Sequence, residues 1–337
     1  MKKRFVEYDF ARAIAMIFVI IFHMQNNLVG IIDDKLLYMA NTIIITCNGI
    51  FFMISGKFLL EREIENIPKF YLDRFVKIIV PVIIASVIYY FSRVDFNVSG
   101  ETIKGCIKAL VQNEGQTYFW FIYTLSCLYL LTPFLKKMLD ACSDKWLMIL
   151  IIQSVIVMIV FNIFEILGLK HPFTSYSFYN WLLFFIMGYS IDRLVKTNRQ
   201  ENIILIIAIV MYGLSISEFL LKVNNPSRWD YSVSYLSMCC GMYILITRKA
   251  RKLAQKFSGV ITILSSTSFV MYIVHGFTME ITKKLIDINN VNVWKWPLLN
   301  ITVVIITFLV SLPIWYFIYR PLVKLFNRYI AKKVTVK

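Results

Sequence analysis

Ten long apolar runs constrain the fold of this chain of 337 residues more than any other feature. A helix that spans the hydrocarbon core of a bilayer needs about 20 predominantly apolar residues. The runs are continuous and lack the two-residue alternation of barrel strands, so they predict helices. They cover roughly residues 8–28, 37–60, 76–92, 118–135, 146–168, 177–194, 202–221, 231–247, 259–278 and 298–319. We therefore expect an all-α, polytopic integral membrane protein with about ten transmembrane helices in a single membrane domain over residues 1–337.

The composition favours a membrane protein over a soluble one. Hydrophobic residues make up 58% of the chain and charged residues only 17%, whereas charged residues make up roughly 25% of soluble domains. A soluble protein of this size could not cover so much apolar surface. The net charge of +16 would also suit nucleic acid, but the positions of the basic residues explain it better. We expect no nucleic-acid partner.

The basic residues concentrate on one side of the predicted membrane. Of the 36 Lys and Arg residues, 25 fall in segments on the N-terminal side, ten in the opposite loops, and one, Arg12, within a run. Because cytoplasmic loops are enriched in Lys and Arg, this asymmetry predicts that both termini are cytoplasmic. The expected location is the cell membrane, as a multi-pass protein, and membrane lipid is the first expected partner.

The first run, "EYDFARAIAMIFVIIFH", contains Asp9, Arg12 and His23. Arg12 and His23 are eleven residues apart, almost three helical turns, so they lie on one face about 16 Å apart. Asp9 joins this face at three residues before Arg12. Ionisable groups inside spans are costly and mark sites or pathways. In the alternative interpretation, Arg12 reaches the cytoplasmic headgroups and His23 only bonds a neighbouring helix.

A second intramembrane histidine follows in "SFVMYIVHGF", where Ser268, Tyr272 and His275 share one helix face. His275 lies about as deep in its span as His23 does, so the two imidazoles could line one cavity. Two histidines are common in metal sites, but no third ligand at suitable spacing accompanies them. We expect no metal.

Basic residues also crowd the predicted cytoplasmic mouth, in "FFMISGKFLL" and "PKFYLDRFVKIIVP". Retention of positive charge inside would explain Lys57, Arg74 and Lys77. Their concentration also suits a phosphate-rich anion, such as a nucleotide-type acyl donor. On the outer side, Tyr118 and Trp120 could stack on a sugar, although an interfacial aromatic belt is the favoured interpretation.

These motifs resemble the multi-spanning membrane acyltransferases of family three, which O-acetylate bacterial surface polysaccharides, peptidoglycan and related glycans. The matching stretches are "EYDFARAIAMIFVIIFH", "FFMISGKFLL", "FYLDRFVKIIVP", "YFWFIYTLSCLYLLTPFL", "LLFFIMGYSI", "SFVMYIVHG" and "YRPL". They cover nearly the whole chain in family order. The resemblance implies a location in the bacterial cytoplasmic membrane. It also implies acetyl-CoA as the cytoplasmic acyl donor and a glycan or lipid-linked sugar as the acceptor.

The residue patterns and the resemblance together suggest roles for individual residues. The expected catalytic group is Asp9, Arg12, His23, Ser268, Tyr272 and His275; the expected donor-binding group is Ser55, Lys57, Arg74 and Lys77; the expected acceptor contacts are Tyr118 and Trp120. Lys57 departs from the family pattern, which commonly has an aromatic residue there. We expect no esterase-like extracytoplasmic domain, and therefore expect the chain either to complete the transfer or to pass the acyl group to an extracytoplasmic partner.

The expected activity is O-acyl transfer with His23 as general base or as a covalent acyl carrier. Both roles require a neutral imidazole, which a span of low dielectric constant favours. The rival function is a transporter or flippase of a small solute or lipid-linked sugar, although the related halves of many such folds are not apparent here. The acceptor, the length of the acyl group and the side on which the acceptor is modified stay open.

Overall fold

The computed structural model describes residues 4–114, 116–169, 181–222 and 232–334. Helices form almost all of this part of the chain, which contains no β-strand, so the expected all-α class is confirmed. The helices are α1 (Val6–Gln25), α2 (Asp34–Ile44), α3 (Cys47–Leu60), α4 (Ile67–Arg74), α5 (Val80–Arg93), α6 (Gly100–Gln112), α7 (Trp120–Ala141), α8 (Asp144–Ile166), α9 (Trp181–Leu194), α10 (Asn198–Leu220), α11 (Val233–Ile244), α12 (Arg251–Lys256), α13 (Ser258–Leu285), α14 (Trp296–Ile314) and α15 (Arg320–Val334). π-helical turns at Phe75–Ile79, Leu245–Lys249 and Trp315–Tyr319 follow α4, α11 and α14.

Six helical stretches in the described residues are long and apolar enough to cross a membrane. They are Asp34–Leu60, Ile67–Arg93, Asp144–Phe164, Asn198–Leu220, Ser258–Leu285 and Trp296–Arg328. Each overlaps one of the predicted runs, which supports an integral membrane protein. The count of about ten spans and the cytoplasmic termini stay predictions. The start of the predicted run 177–194 and the first residue of 231–247 lie outside the described residues.

The chain forms two compact units. Unit 1 comprises Met1–Glu61 and Met138–Pro313, and unit 2 comprises Arg62–Lys137 and Ile314–Lys337. In unit 1, α1 packs against α3 and α13, α3 packs against α9, and α10 packs against α11. Large side chains that are fully buried fill this core, among them Met16, Ile20, Phe52, Phe184, Phe185 and Tyr243.

Two glycines bring the backbones of α3 and α9 into direct contact. A Cβ atom on Gly56 would lie 1.7 Å from the carbonyl oxygen of Phe185, and one on Gly188 would lie 1.8 Å from that of Met53. Only glycine permits this approach, and small residues at helix crossings are typical of membrane proteins. The crossing fixes which side chains meet at the adjacent ends of the two helices.

The predicted run 37–60 is interrupted between α2 and α3 by a side chain that comes from a distant helix. In a continuous helix, the N–H of Gly49 would donate to the carbonyl of Ile45, four residues earlier. Instead, the hydroxyl of Tyr235 accepts from that N–H at 3.2 Å and donates to that carbonyl at 3.0 Å. A hydroxyl inserted into the hydrogen-bond ladder of a helix is a recognised cause of such breaks.

Tyrosine hydroxyls connect the helices of unit 2 by donating to backbone carbonyls. Tyr71 of α4 donates to Leu130 of α7 at 2.9 Å. Tyr319 donates to the carbonyl of Lys77 at 3.1 Å, which joins the π-helical turns at Trp315–Tyr319 and Phe75–Ile79. These bonds link the start of the unit to its later helices.

Helix α6 occupies the segment between the predicted runs 76–92 and 118–135. A capping box begins it: the hydroxyl of Ser99 accepts from the N–H of Thr102 at 3.2 Å, and the hydroxyl of Thr102 accepts from the N–H of Ser99 at 2.8 Å. Such reciprocal bonds satisfy free N–H groups at a helix start. The helix ends at Asn113 in the left-handed conformation. The apolar runs did not predict this helix.

Candidate functional site

Helices α1 and α13 of unit 1 lie side by side and run in the same direction. Near their starts, Asp9 and Arg12 of α1 meet Ser265 of α13. Further along both helices, His23 meets His275. Arg12 precedes His23 by eleven residues and Ser265 precedes His275 by ten, which is a rise of about 15–16 Å in either helix. The two helices therefore match at both levels.

The buried carboxylate of Asp9 organises the contacts near the starts of α1 and α13. Asp9 accepts from Nη1 of Arg12 at 3.1 Å and from Oγ of Ser265 at 2.7 Å, and it also pairs with Nε of Arg4. Nη1 of Arg12 donates in addition to Oγ of Ser265 at 3.1 Å. These bonds hold the Arg12 guanidinium against α13 and fix its direction.

Two imidazoles face each other further along α1 and α13. The ring centroids of His23 and His275 are 5.2 Å apart, and the ring planes are inclined by 34°. Nδ1 of His275 lies 2.6 Å from the carbonyl oxygen of Tyr272. Because a carbonyl only accepts hydrogen bonds, Nδ1 of the neutral ring carries the proton, and Nε2 keeps the lone pair.

The two histidines differ in their exposure. His275 is fully buried, whereas part of the His23 side chain stays exposed. Of the two rings, that of His23 is therefore the one with accessible surface. His275 packs against it from the buried side.

The structure places the other residues of the α13 motif on the same buried face. The ring of Tyr272 lies 5.7 Å from that of His275. The hydroxyl of Ser268 donates to the carbonyl of Ser265 at 2.8 Å, within its own helix. Tyr272 is therefore beside the imidazoles, while the Ser268 proton is directed towards the helix backbone.

Lys57 does not belong to this site but to a cluster of paired charges. Its ammonium lies 2.7 Å from Asp192 of α9, also pairs with Glu61, and lies 5.8 Å from the ring centroid of Tyr8. The pairing follows from the close crossing of α3 and α9, because Lys57 follows Gly56 directly and Asp192 comes one turn after Gly188. The donor-binding role that the sequence suggested for Lys57 stays a prediction.

The same cluster takes in the π-helical turn at Leu245–Lys249. Arg248 lies 2.9 Å from Asp192 and 3.0 Å from Glu201, and Lys249 lies 2.8 Å from Glu201. Asp192 also accepts a hydrogen bond from the hydroxyl of Tyr8. Three cations and three carboxylates therefore neutralise one another here; the members of this Asp192 cluster are Lys57, Glu61, Asp192, Glu201, Arg248 and Lys249.

Ser55 is half-buried on α3, two residues before Lys57. It is therefore less than one helical turn from Lys57 and the Asp192 cluster. Its role as a donor contact stays a prediction.

In unit 2, Arg74 is held by aromatic rings. Its guanidinium carbon lies 5.3 Å from the ring centroid of Phe70 and 5.6 Å from that of Tyr129. Its Nε is buried without a hydrogen-bond partner, and no ion pair with Arg74 forms in the described residues. Lys77 differs, because its ammonium lies 3.2 Å from Asp73. Arg74 thus keeps a positive charge that no carboxylate neutralises.

The predicted acceptor contacts lie in unit 2. Tyr118 is buried, and its ring packs edge-on against Phe119 at 5.1 Å and Tyr89 at 6.5 Å. Trp120 is partly exposed and packs edge-on against Phe121 at 6.2 Å. The packing of Tyr118 is that of a core residue, and a sugar-binding role for either ring stays a prediction.

Sequence reasoning missed several residues that the structure brings to these places. Ser265 extends the Ser268–Tyr272–His275 face by one turn, so helical periodicity could have found it. Arg4 was counted only as a cytoplasmic charge. Asp192, an acidic residue at the end of an apolar run, was a signal of the kind that marks intramembrane partners. No cluster of three metal-binding side chains occurs in residues 4–114, 116–169, 181–222 and 232–334.

Comparison with known proteins agrees with the motifs. A family model of the acyltransferase domain of family 3 matches residues 5–320, nearly the whole chain. Neither a curated protein nor a solved structure matches the chain. The match includes both α1 and α13, and therefore both levels of the site. Its extent shows that the chain belongs to acyltransferase family 3.

Proposed function

We propose that this acyltransferase moves an acetyl group from cytoplasmic acetyl-CoA to a hydroxyl of a cell-envelope glycan in bacteria. The observation that carries the proposal is the pair His23 and His275, with ring centroids 5.2 Å apart. A partly exposed imidazole that is supported by a buried one suits a general base. The acceptor is a polysaccharide, peptidoglycan or lipid-linked sugar, and a partner outside the membrane is the alternative recipient of the acyl group.

His23 acts first as the base. As the acceptor oxygen attacks the thioester carbonyl, its O–H bond breaks and the proton passes to the imidazole. Collapse of the tetrahedral intermediate breaks the C–S bond. The imidazolium returns its proton to the sulfur, so CoA leaves as a thiol and the ester remains on the acceptor. In the covalent alternative, the imidazole itself carries the acetyl group between the two steps.

Tyr272 is the residue that we assign to the developing oxyanion. His275 in its assigned tautomer presents a lone pair at Nε2, and the proton of Ser268 is directed to the carbonyl of Ser265. The phenol of Tyr272 is a hydrogen-bond donor and lies on the same face. Donors directed at an oxyanion contribute strongly to acyl transfer in sites that exclude water.

Arg12 and Arg74 are the candidates for holding the donor. Guanidinium groups bind phosphates through several parallel N–H groups. Arg12 is fixed by Asp9 near the start of α1 in unit 1. Arg74 is supported in unit 2 by two rings that leave its charge available.

The test is the variant His23→Ala in the full chain, reconstituted in lipid nanodiscs. Loss of a general base lowers the rate by about 10² to 10⁴-fold, so we expect release of CoA thiol from acetyl-CoA to fall by this factor. His171→Ala is the control: the sequence predicts that this third histidine lies in an outer loop, and it falls outside the described residues. Mass spectrometry of envelope glycans from cells should lose the added acetyl groups with His23→Ala alone.

Activity of His23→Ala close to that of the wild type would refute the base and carrier roles together. Trapping with labelled acetyl-CoA separates the two roles. A label that stays on the protein and is lost in His23→Ala indicates the covalent route, and an unlabelled protein with full turnover indicates the general base.

A further inference from the structure

Two guanidinium groups share one carboxylate at the start of α1. Arg4 and Arg12 both bond Asp9, whose side chain is only 8% exposed, while the two arginine side chains are 47% and 33% exposed. In these contacts two cations share one carboxylate. In the Asp192 cluster, by contrast, cations and carboxylates are equal in number.

Arg4 is fixed to α13 by its own hydrogen bonds. Nη2 donates to the carbonyl of Thr262 at 3.1 Å and to Oγ of Ser266 at 3.0 Å, while Nε faces Asp9. A side chain that folding has already ordered loses little rotamer freedom when it binds a ligand. The guanidinium is thus preorganised in the free protein.

The described contacts of Arg4 leave both N–H groups of Nη1 without a protein acceptor. The two remaining N–H groups of this half-exposed guanidinium diverge from one nitrogen, so each can donate to an oxygen of an anion such as phosphate. The adjacent guanidinium of Arg12 increases the attraction for an anion that carries more than one negative charge.

We propose that Arg4 and Arg12 together form a binding site for the phosphate groups of the acyl donor, in which Arg4 is a phosphate ligand. The inference rests on the proposed function and adds a ligand that neither the apolar runs nor the motifs indicated. Ser266 and Thr262 are the positioning residues that direct Arg4 towards the donor. The thioester would then extend along α1 towards His23, about 16 Å further on.

The experiment compares two donors with the full chain in nanodiscs. Acetyl-CoA carries the phosphates, and S-acetylpantetheine lacks them. A hydrogen bond to a charged group contributes about 1.5 to 3 kcal/mol, so we expect Arg4→Gln to raise KM for acetyl-CoA by about tenfold or more. We expect kcat with acetyl-CoA, and KM for S-acetylpantetheine, to stay unchanged.

Arg251→Gln is the matched control. Arg251 belongs to the same unit, is 59% exposed and pairs with Glu7 at 3.6 Å, so the variant removes the same charge close to α1 without touching the site. Equal effects of the two variants would reduce Arg4 to a general surface charge and overturn the proposal. A loss with both donors alike would make Arg4 only a structural link between the N-terminal residues and α13, and would also overturn it.

A direct binding measurement tests the phosphate site without any turnover, and therefore independently of the proposed function. Calorimetry measures binding of adenosine 3′,5′-bisphosphate to wild type, Arg4→Gln and the charge-conserving Arg4→Lys. We expect the affinity to fall with Arg4→Gln and to be partly retained with Arg4→Lys, since Lys keeps the charge without the planar guanidinium that the contacts with Asp9, Thr262 and Ser266 hold in place. Unchanged affinity in Arg4→Gln overturns the phosphate site. Turnover of neither donor by wild type would instead contradict the proposed function.

Discussion

Around Asp192 in unit 1, three cations meet three carboxylates, whereas in unit 2 the guanidinium of Arg74 meets two aromatic rings and, among the described residues, no carboxylate. Both regions consist of basic residues next to apolar runs, and the sequence suggested a donor role in both. Charges that are neutralised by protein partners stabilise the fold. A charge that is supported by rings and left without a counter-ion is available to a ligand.

The largest expected effect comes from a change in the Asp192 cluster, in which cations and carboxylates neutralise one another. Asp192→Asn leaves Lys57 and Arg248 without their shared carboxylate in a position that is only 12% exposed. Removing one partner of a buried pair costs about 3 to 5 kcal/mol. We expect the free energy of unfolding in SDS mixed micelles to fall by this amount.

Asp144→Asn is the control for this variant. Asp144 also pairs with an arginine, Arg193, at 2.7 Å, but its side chain is 68% exposed. Exposed pairs contribute about 0 to 1 kcal/mol, so we expect little change. Equal losses in the two variants would show that burial does not distinguish the Asp192 cluster.

The second largest expected effect concerns Arg74 in unit 2. Arg74→Gln removes the charge that lacks a counter-ion, so we expect KM for acetyl-CoA to rise by about 10- to 100-fold, equivalent to 1.4 to 2.8 kcal/mol. Stability should change little, because Arg74 gives up no ion pair. Steady-state kinetics and SDS unfolding measure the two quantities. Lys69→Gln, which removes an exposed charge from the same helix α4, should leave KM unchanged; a rise as large as that of Arg74→Gln would contradict a specific donor contact.

The smallest expected effect concerns Lys57. Lys57→Met keeps the length of the side chain and leaves Asp192 with Arg248 and Tyr8 as partners. We expect a loss of about 1 kcal/mol in unfolding free energy and no change in KM for acetyl-CoA. Lys249→Met is the matched control, because it removes another cation of the same cluster. A tenfold rise in KM with Lys57→Met alone would make Lys57 a donor ligand after all.

The sequence predicts well which polar residues of the site share a helix face, because this depends only on the spacing of residues within one helix. Eleven residues between Arg12 and His23 correspond to almost three turns, so both side chains reach the same neighbour, α13. The similar depth of His23 and His275 also follows from counting residues along two spans. Local spacing is sufficient for such expectations.

Contacts between distant helices were not predictable in this way. The break in the run 37–60 depends on the hydroxyl of Tyr235, and the pairing of Lys57 with Asp192 depends on two glycines at one crossing. Neither partner is marked by local periodicity. The same limit applies to Arg4, whose acceptors on α13 are 258 and 262 residues away.

The contact between Asp9 and Ser265 joins residues that are 256 positions apart, which has a consequence for biogenesis. At about 5 to 20 residues per second, the ribosome adds Ser265 roughly 13 to 51 s after it adds Asp9. Throughout that interval, the first helix holds its carboxylate without the serine and its accessible imidazole without the second ring. The contacts of Asp9 with Ser265 and of His23 with His275 are therefore among the last parts of unit 1 to form.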